Sequence, residues 1–233
     1  MKFKIAESIQ DKGIFKVIFM AGSPGAGKSY VLSKLSDGSI DPRIVNTDKF
    51  VEFFGGNDPV KERPFVLDKS KLLSKQQLYF YINSILPLFV DSTSSEATTC
   101  IRRNGLLESL GYDTGMVFVN TSLETALKRI EQRERKITDD WTKKIYNTIN
   151  EAKAFYKSHF PFFLEIDNDE GMLTDEVVAN AFKKVKGFYD TPINNPEGKS
   201  NIKKMRSKGW KYLADGIASE EYIQKVISVW YRT

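Results

Sequence analysis

The residues best equipped for chemistry in this chain stand together in Gly22-Ser23-Pro24-Gly25-Ala26-Gly27-Lys28-Ser29. The pattern is G-x-x-x-x-G-K-S/T, which wraps a phosphate when it sits between a strand and a helix. Glycines at 22, 25 and 27 let successive N–H groups converge on one anion, at the positive end of the following helix. Lys28 can reach the β- and γ-phosphates as a point charge, and the Ser29 hydroxyl can bind Mg²⁺. Tyr30, next along, joins the candidate nucleotide contacts. The rival dinucleotide fingerprint G-x-G-x-x-G fails, because Tyr30 stands where its third glycine would be. The octad therefore predicts binding of a nucleoside triphosphate.

Four further groups of residues could act on that nucleotide. Asp48, in Asn46-Thr47-Asp48, follows the second apolar run, and its carboxylate can take the proton of a hydroxyl attacking the γ-phosphate. The competing role for Asp48 is a helix N-cap. Asp91 ends the third run, in Phe89-Val90-Asp91-Ser92-Thr93, where a Walker B carboxylate holds Mg²⁺ opposite Ser29. Thr93 and Ser94 beside it are candidate phosphate or acceptor contacts. Arg129, Arg133 and Arg135 can neutralise charge on the transferring group from a lid at about 132–140; Arg129 and Arg133 lie one helical turn apart. A solvated Arg/Glu helix face is the alternative. Arg102 and Arg103 either contact an anionic acceptor or lie on the surface.

These residues need a scaffold, and the apolar pattern supplies one. Phe15–Ala21 runs into the glycine loop, and Ser29–Leu35 leaves it with helical spacing. Later runs at 43–46, 88–91, 116–120 and 162–166 are continuous rather than alternating, as strands buried on both faces are. Helical patterns lie between them: Leu123, Ala126, Leu127 and Ile130 after a capping box Thr121-Ser122-Leu123-Glu124, then Trp141 to Tyr156, then a helix opened by Thr174. Strand–helix alternation predicts a doubly wound α/β sheet. Residues 49–87 exceed what a crossover needs, which marks an insert with aromatic Phe50, Phe53 and Phe54. Thr191–Gly198 is a linker by composition. The expected organisation is a body over 1–190 and a basic helical appendage over 191–233, packed through Trp210, Tyr222, Val226 and Trp230.

Charge follows the same division. The net charge is +5, of which the eight Lys/Arg and four Asp/Glu of 191–233 contribute +4, leaving the body near neutral at +1. A high pI is thus no sign that the body tracks a nucleic-acid backbone, although the tail is a candidate contact. No run is long enough to span a bilayer, and the first residues lack the apolar core of a signal peptide. Cys100, the single cysteine, suits a reducing cytoplasm and a place in the core, and His159, the single histidine, has no second ligand at metal spacing.

The phosphate loop, Asp48, Asp91-Ser92-Thr93 and the arginine-rich segment together resemble the zeta-toxin and polynucleotide-kinase branch of P-loop kinases. The run Val119-Asn120-Thr121-Ser122-Leu123-Glu124-Thr125-Ala126-Leu127-Lys128-Arg129, continuing to Arg135-Lys136, is similar to small phage-encoded kinases of the zeta-toxin type. The resemblance covers about residues 14–190. It departs at Val51, where that branch often carries an arginine. It implies a three-layer P-loop NTPase sandwich with a five-stranded parallel sheet ordered 2-3-1-4-5. It also implies ATP as donor, an insert that helps to hold the acceptor, and, for a phage-encoded chain, a site of action in the host cytoplasm. The function so expected is Mg²⁺- and ATP-dependent phosphoryl transfer to a hydroxyl of a nucleotide, nucleotide sugar or nucleic-acid 5′ end. The alternatives are an ATPase, or a nucleotide-binding interaction module, without a phosphoryl acceptor.

Overall fold

All six residues of β1 (Lys16–Ala21) are buried, and their side chains alternate between two apolar clusters. Val17, Phe19 and Ala21 face one cluster, Ile18 and Met20 the other. That division explains why the run is continuously apolar: a central parallel strand has no solvent face. The computed structural model describes residues 13–36, 42–54, 63–132, 138–208 and 218–231.

After β1 come α1 (Lys28–Leu35), β2 (Arg43–Val45), α2 (Asp48–Phe53), α3 (Arg63–Asn83), β3 (Leu88–Val90) and α4 (Ala97–Ser109). They are followed by β4 (Asp113–Asn120), α5 (Leu123–Glu131), α6 (Asp139–His159), β5 (Phe162–Asp167), α7 (Asp175–Asp190), α8 (Pro196–Lys208) and α9 (Glu220–Trp230). The five strands form one sheet in the order β2-β3-β1-β4-β5, as expected, and every pairing is parallel. Ile18 of β1 lies opposite Phe89 on one side and Gly115 on the other. Leu78 and Ile82 of α3, Leu107 of α4 and Ile149 and Tyr156 of α6 cover one face. Val31, Leu32 and Leu35 of α1 with Ala181, Val185 and Tyr189 of α7 cover the other. Since all strands run the same way, the loops after β1, β2, β3 and β5 gather along a single edge. That edge is where open α/β sheets bind ligands.

Two local expectations are corrected. β4 begins at Asp113, three residues before the apolar run, because Thr114 and Gly115 pair with Val17 and Ile18 although neither is strongly apolar. A Cβ at Gly115 would lie 2.7 Å from the Phe162 ring, so β5 packs closely over the position where a side chain would have announced a strand. The cap of α5 is Ser122, not Thr121: the Ser122 hydroxyl accepts from the Thr125 N–H at 3.1 Å, while the Thr121 hydroxyl lies 3.4 Å from Asp169 Oδ1. Thr174 does cap α7, accepting from Val177 N–H.

The chain after 190 is tied down at the far edge of the sheet. Buried Lys16 pairs with Asp113 at 2.8 Å, and Asp113 also accepts from the backbone N–H groups of Asn194 and Asn195. α9 places Ile223, Val226, Ile227 and Trp230 in the same apolar cluster as β1, and the Trp230 ring stacks on Phe19 with centroids 6.1 Å apart. Tyr222 is 40% exposed and bonds Ser109 through its hydroxyl, and Lys199, Lys203 and Lys204 face outward. Trp210 lies outside the described residues. Trp230→Ala is expected to lower the unfolding free energy by about 3–5 kcal/mol, the cost of emptying a large aromatic site. Urea unfolding followed by far-UV circular dichroism measures it.

Candidate active site

The phosphate loop takes its shape from backbone that only glycine accepts readily. Gly25 and Gly27 both have φ of +80°. A Cβ at Gly25 would lie 2.3 Å from the Ala126 carbonyl oxygen of α5, and one at Gly27 would lie 2.3 Å from Asn168 Nδ2. Helix and loop are thus packed against the turn from both sides. Ala26 N–H closes the turn onto Ser23 O at 3.1 Å, and Gly27 sits left-handed immediately before α1. Lys28 Nζ donates to Gly22 O at 2.9 Å and to Ser23 O at 3.1 Å, which folds its ammonium over the loop's own carbonyls. Gly25→Ala is expected to weaken nucleoside-triphosphate affinity about tenfold or more, since left-handed strain of about 1–2 kcal/mol must be relieved by moving the loop. Titration with a fluorescent ATP analogue measures the loss; unchanged affinity would separate the loop's shape from nucleotide binding.

Opposite the loop, two strand ends and the start of α1 meet through one carboxylate. Asp91 Oδ2 accepts from Asn46 Nδ2 at 2.8 Å and lies 3.4 Å from the Ser29 hydroxyl. Asn46 Oδ1 in turn accepts the Asp48 N–H at 2.7 Å. Ser29, Asp91, Asn46 and Asp48 therefore form one linked series from α1 to α2. Asp48 is exposed as the first residue of α2, and Thr47 holds the cap position, so the N-cap alternative for Asp48 does not apply. Asn46 had no signal in the sequence beyond its place at a strand end.

Other expected residues are distributed unevenly. The Arg129 guanidinium lies on α5 at 3.5 Å from Gly25 O, beside the loop itself. Arg133 and Arg135, and most of the expected lid, lie outside the described residues. Thr93 accepts the Gly22 N–H on its carbonyl at 3.3 Å and so joins the β3 loop to the phosphate loop. Ser94 is committed to structure: it is buried with φ of +50°, its hydroxyl donates to Met20 O at 2.8 Å, and its carbonyl accepts the Tyr156 hydroxyl at 2.6 Å. Arg102 is exposed on α4, whereas Arg103 is half-buried and donates from Nε to the Trp230 carbonyl at 3.1 Å. Tyr30 is 55% exposed, with Lys34 Nζ over its ring. Cys100 is buried, and burial pushes its thiol up to about 11, which keeps it protonated and inert at neutral pH. His159 stacks on Phe155 and meets Asn104 Nδ2 at 3.2 Å.

Asn168, in the loop after β5, is the residue that sequence patterns did not reveal. It is 5% exposed and donates from Nδ2 to Ala26 O at 2.7 Å, pinning the phosphate loop from the β5 side. The next residue, Asp169, accepts from Ser122, and hydrogen bonds from Thr125 and Ser122 hold its carboxyl below the usual range. Loop, lysine, serine and two acidic side chains at one sheet edge are what binding and transfer of a terminal phosphoryl group require.

Among solved structures, a Chloroflexus aurantiacus protein described as a candidate kinase shares the fold at a TM-score of 0.50 and 15% identity, covering 74% of this chain and 97% of that one. A chain of the Pnkp1/Rnl/Hen1 RNA repair complex aligns at a TM-score of 0.51 and 18% identity over 64% of this chain; the match spans about half of that longer chain, 47%. No helix among the described residues is long and apolar enough to cross a membrane. The model of the family described as zeta toxin matches residues 4–159.

Proposed function

From the premise that the chain belongs to the zeta toxin family, we propose that it is a kinase that moves the γ-phosphoryl group of ATP to a hydroxyl of a nucleotide, nucleotide sugar or nucleic-acid 5′ end. The observation that carries this proposal is the linked series Ser29–Asp91–Asn46–Asp48, which sets one carboxylate beside the loop serine and a second at the start of the insert. An ATPase needs the first carboxylate; a second, exposed one displaced toward α2 suits a base that meets an incoming hydroxyl.

The donors suit Mg²⁺. Ser29 Oγ and Asp91 Oδ2 are hard oxygens side by side, and no cluster of three or more His, Cys, Asp or Glu exists among the described residues. That is the sparse protein ligation Mg²⁺ takes when phosphates and water complete its shell. When bound, the ion would be held by Ser29 and Asp91 and would supply positive charge against the charge that develops on the phosphates. The chain's own groups do the rest. Loop N–H groups and Lys28 orient the phosphates, Arg129 stands next to Gly25 where it can reach the nucleotide, Asp48 takes the hydroxyl proton, and Arg133 and Arg135 are assigned to the transferring group as it loses its leaving oxygen. A nucleic-acid acceptor stays within the proposal because one fold relative belongs to an RNA repair complex.

Incubating the protein with γ-labelled ATP, Mg²⁺ and a panel of nucleotides, nucleotide sugars and 5′-hydroxyl oligonucleotides tests the proposal. A labelled acceptor supports it. Release of phosphate alone, unchanged by every acceptor, identifies an ATPase, and neither product identifies a binding module.

A further inference from the structure

Beside the β3 loop lies a pocket of about 180 Å³, walled by Ser92, Thr93, Ser95, Thr99 and Arg103. Its composition is unusual for a gap in packing. Five hydroxyl-bearing residues, buried Ser94 among them, line it together with one guanidinium, and Phe19 forms part of the wall. Arg103 is held in place by α9: its Nε donates to the Trp230 carbonyl at 3.1 Å and its guanidinium lies over the Trp230 ring at 5.3 Å. Among the described residues it forms no ion pair. A guanidinium has five N–H donors in a fixed fork, and here Nε is the nitrogen the protein engages. Burial lowers the Arg103 pKa from its ordinary value, as expected for a partly desolvated charge with no counterion in contact. The one carboxylate at the pocket is exposed Glu96, which accepts from the Thr99 hydroxyl at 3.0 Å.

The pocket adjoins the candidate active site. Ser92 and Thr93 directly follow Asp91, and Thr93 O accepts the Gly22 N–H of the phosphate loop. α9 also reaches the insert: the Tyr231 hydroxyl, just after its last turn, meets the Ser74 hydroxyl of α3 at 2.6 Å, and Ser74 meets Thr47 Oγ1 at 3.2 Å. The C-terminal helix thus braces Arg103 on one side and the start of α2, with Asp48, on the other.

We infer that this pocket binds a phosphate group carried by the acceptor, with Arg103 as the charged contact, Ser95 as a hydroxyl donor, and Trp230 as the positioning residue that aims the guanidinium. Size and chemistry agree: a tetrahedral oxyanion fits the space and takes a bidentate fork plus hydroxyl donors. The inference rests on the proposed kinase function and deepens it, by assigning the residues that hold the acceptor's own phosphate while its hydroxyl reacts. Of the two arginines, Arg103 is thereby the acceptor contact, and exposed Arg102 is not.

The first test is independent of phosphoryl transfer. The protein is saturated with Mg²⁺ and a non-hydrolysable ATP analogue so that the phosphate loop is occupied, and inorganic phosphate is titrated in by equilibrium dialysis. One further phosphate site is expected in the wild type. Arg103→Met, which keeps the stem over Trp230, should weaken it about ten- to a hundredfold, the scale of a hydrogen-bonded charge. Arg103→Lys should recover only part of that affinity, and Glu96→Gln should tighten binding by removing a nearby negative charge. Ser95→Ala, which removes one hydroxyl and no packing volume of note, should weaken binding severalfold and guards against a folding defect in the arginine variants. Wild-type binding of phosphate that none of these substitutions moves, or no second site at all, overturns the assignment. The second test compares transfer to a nucleoside, its monophosphate, a nucleotide sugar and a short oligonucleotide. A KM for the best phosphorylated acceptor that rises in Arg103→Met with little change in kcat supports the subsite and tells its sources apart. Equal transfer to the unphosphorylated nucleoside removes the subsite while leaving the kinase standing. No transfer to any acceptor removes the kinase function, and the dialysis result still decides whether Arg103 holds an anion.

Discussion

Lys28→Ala is expected to lower ATP turnover by about a hundredfold to a thousandfold, the usual scale for removing one preorganised charge contact to a reacting oxyanion. The fold should survive. Lys28 Nζ donates to carbonyls of its own loop, Gly22 O and Ser23 O, and those oxygens can turn to water. The stability loss should therefore stay near the value of ordinary hydrogen bonds, about 0.5–1.5 kcal/mol each. A thermal scan and a steady-state ATP assay on the same preparation separate the two effects. Lys28→Arg is the sharper control, because a planar fork cannot replace a compact ammonium at one point between two phosphates. Near-normal turnover in either variant would mean that the loop after β1 is not where phosphate is handled.

The parts of this molecule that were legible in the sequence are those where local chemistry and global position agree. β1 reads as a buried strand because both of its faces are covered, and the glycines after it read as a phosphate loop because φ of +80° at Gly25 and Gly27 excludes other residues at little cost only when glycine is present. Strand order followed from resemblance rather than from any pattern in the residues, since nothing local states that β3 lies between β2 and β1. What stayed hidden was tertiary. Asn46 and Asn168 are single polar residues at strand ends, and their roles come from what two distant segments bring to them: the Asp91 carboxylate in one case and Ala26 O in the other. The difference between Arg102 and Arg103 is likewise set by α9, whose Trp230 lies more than a hundred residues further on. Ser94 looked like a ligand for the reason that Thr93 did. Only the backbone turn at φ of +50° sends its hydroxyl back to Met20. The tail, marked by its charge, carries Lys199, Lys203, Lys204 and Lys225 outward while its apolar side enters the same cluster as β1.

Asp48→Asn is expected to cut transfer to the true acceptor by about a hundredfold or more, the range of general-base catalysis, while nucleotide binding persists. Asparagine matches aspartate in size and can still donate or accept, but it cannot take up a proton from an attacking hydroxyl. The structural cost is bounded by where the residue sits. Thr47, not Asp48, is the cap of α2, and no side-chain capping bond is made there. The carboxylate's charge near a helix N-terminus is worth about 0.3–1 kcal/mol for an exposed group. The Asp48 backbone N–H keeps its bond to Asn46 Oδ1 whichever side chain is present, so Asn46 and with it Asp91 should stay in place. Binding of Mg²⁺–ATP, which depends on Lys28, Ser29 and Asp91, should therefore be within about twofold of wild type, a difference of less than 0.5 kcal/mol. The decisive pair of measurements is γ-phosphoryl transfer to the acceptor and release of phosphate without it. A base for the acceptor hydroxyl predicts that transfer falls far more than hydrolysis, because water attacking the γ-phosphate does not need Asp48 in the same position. If both fall together, the carboxylate acts on the nucleotide or its metal. If neither falls, Asp48 is a surface residue at the start of α2, and the strongest structural support for a phosphoryl acceptor is gone.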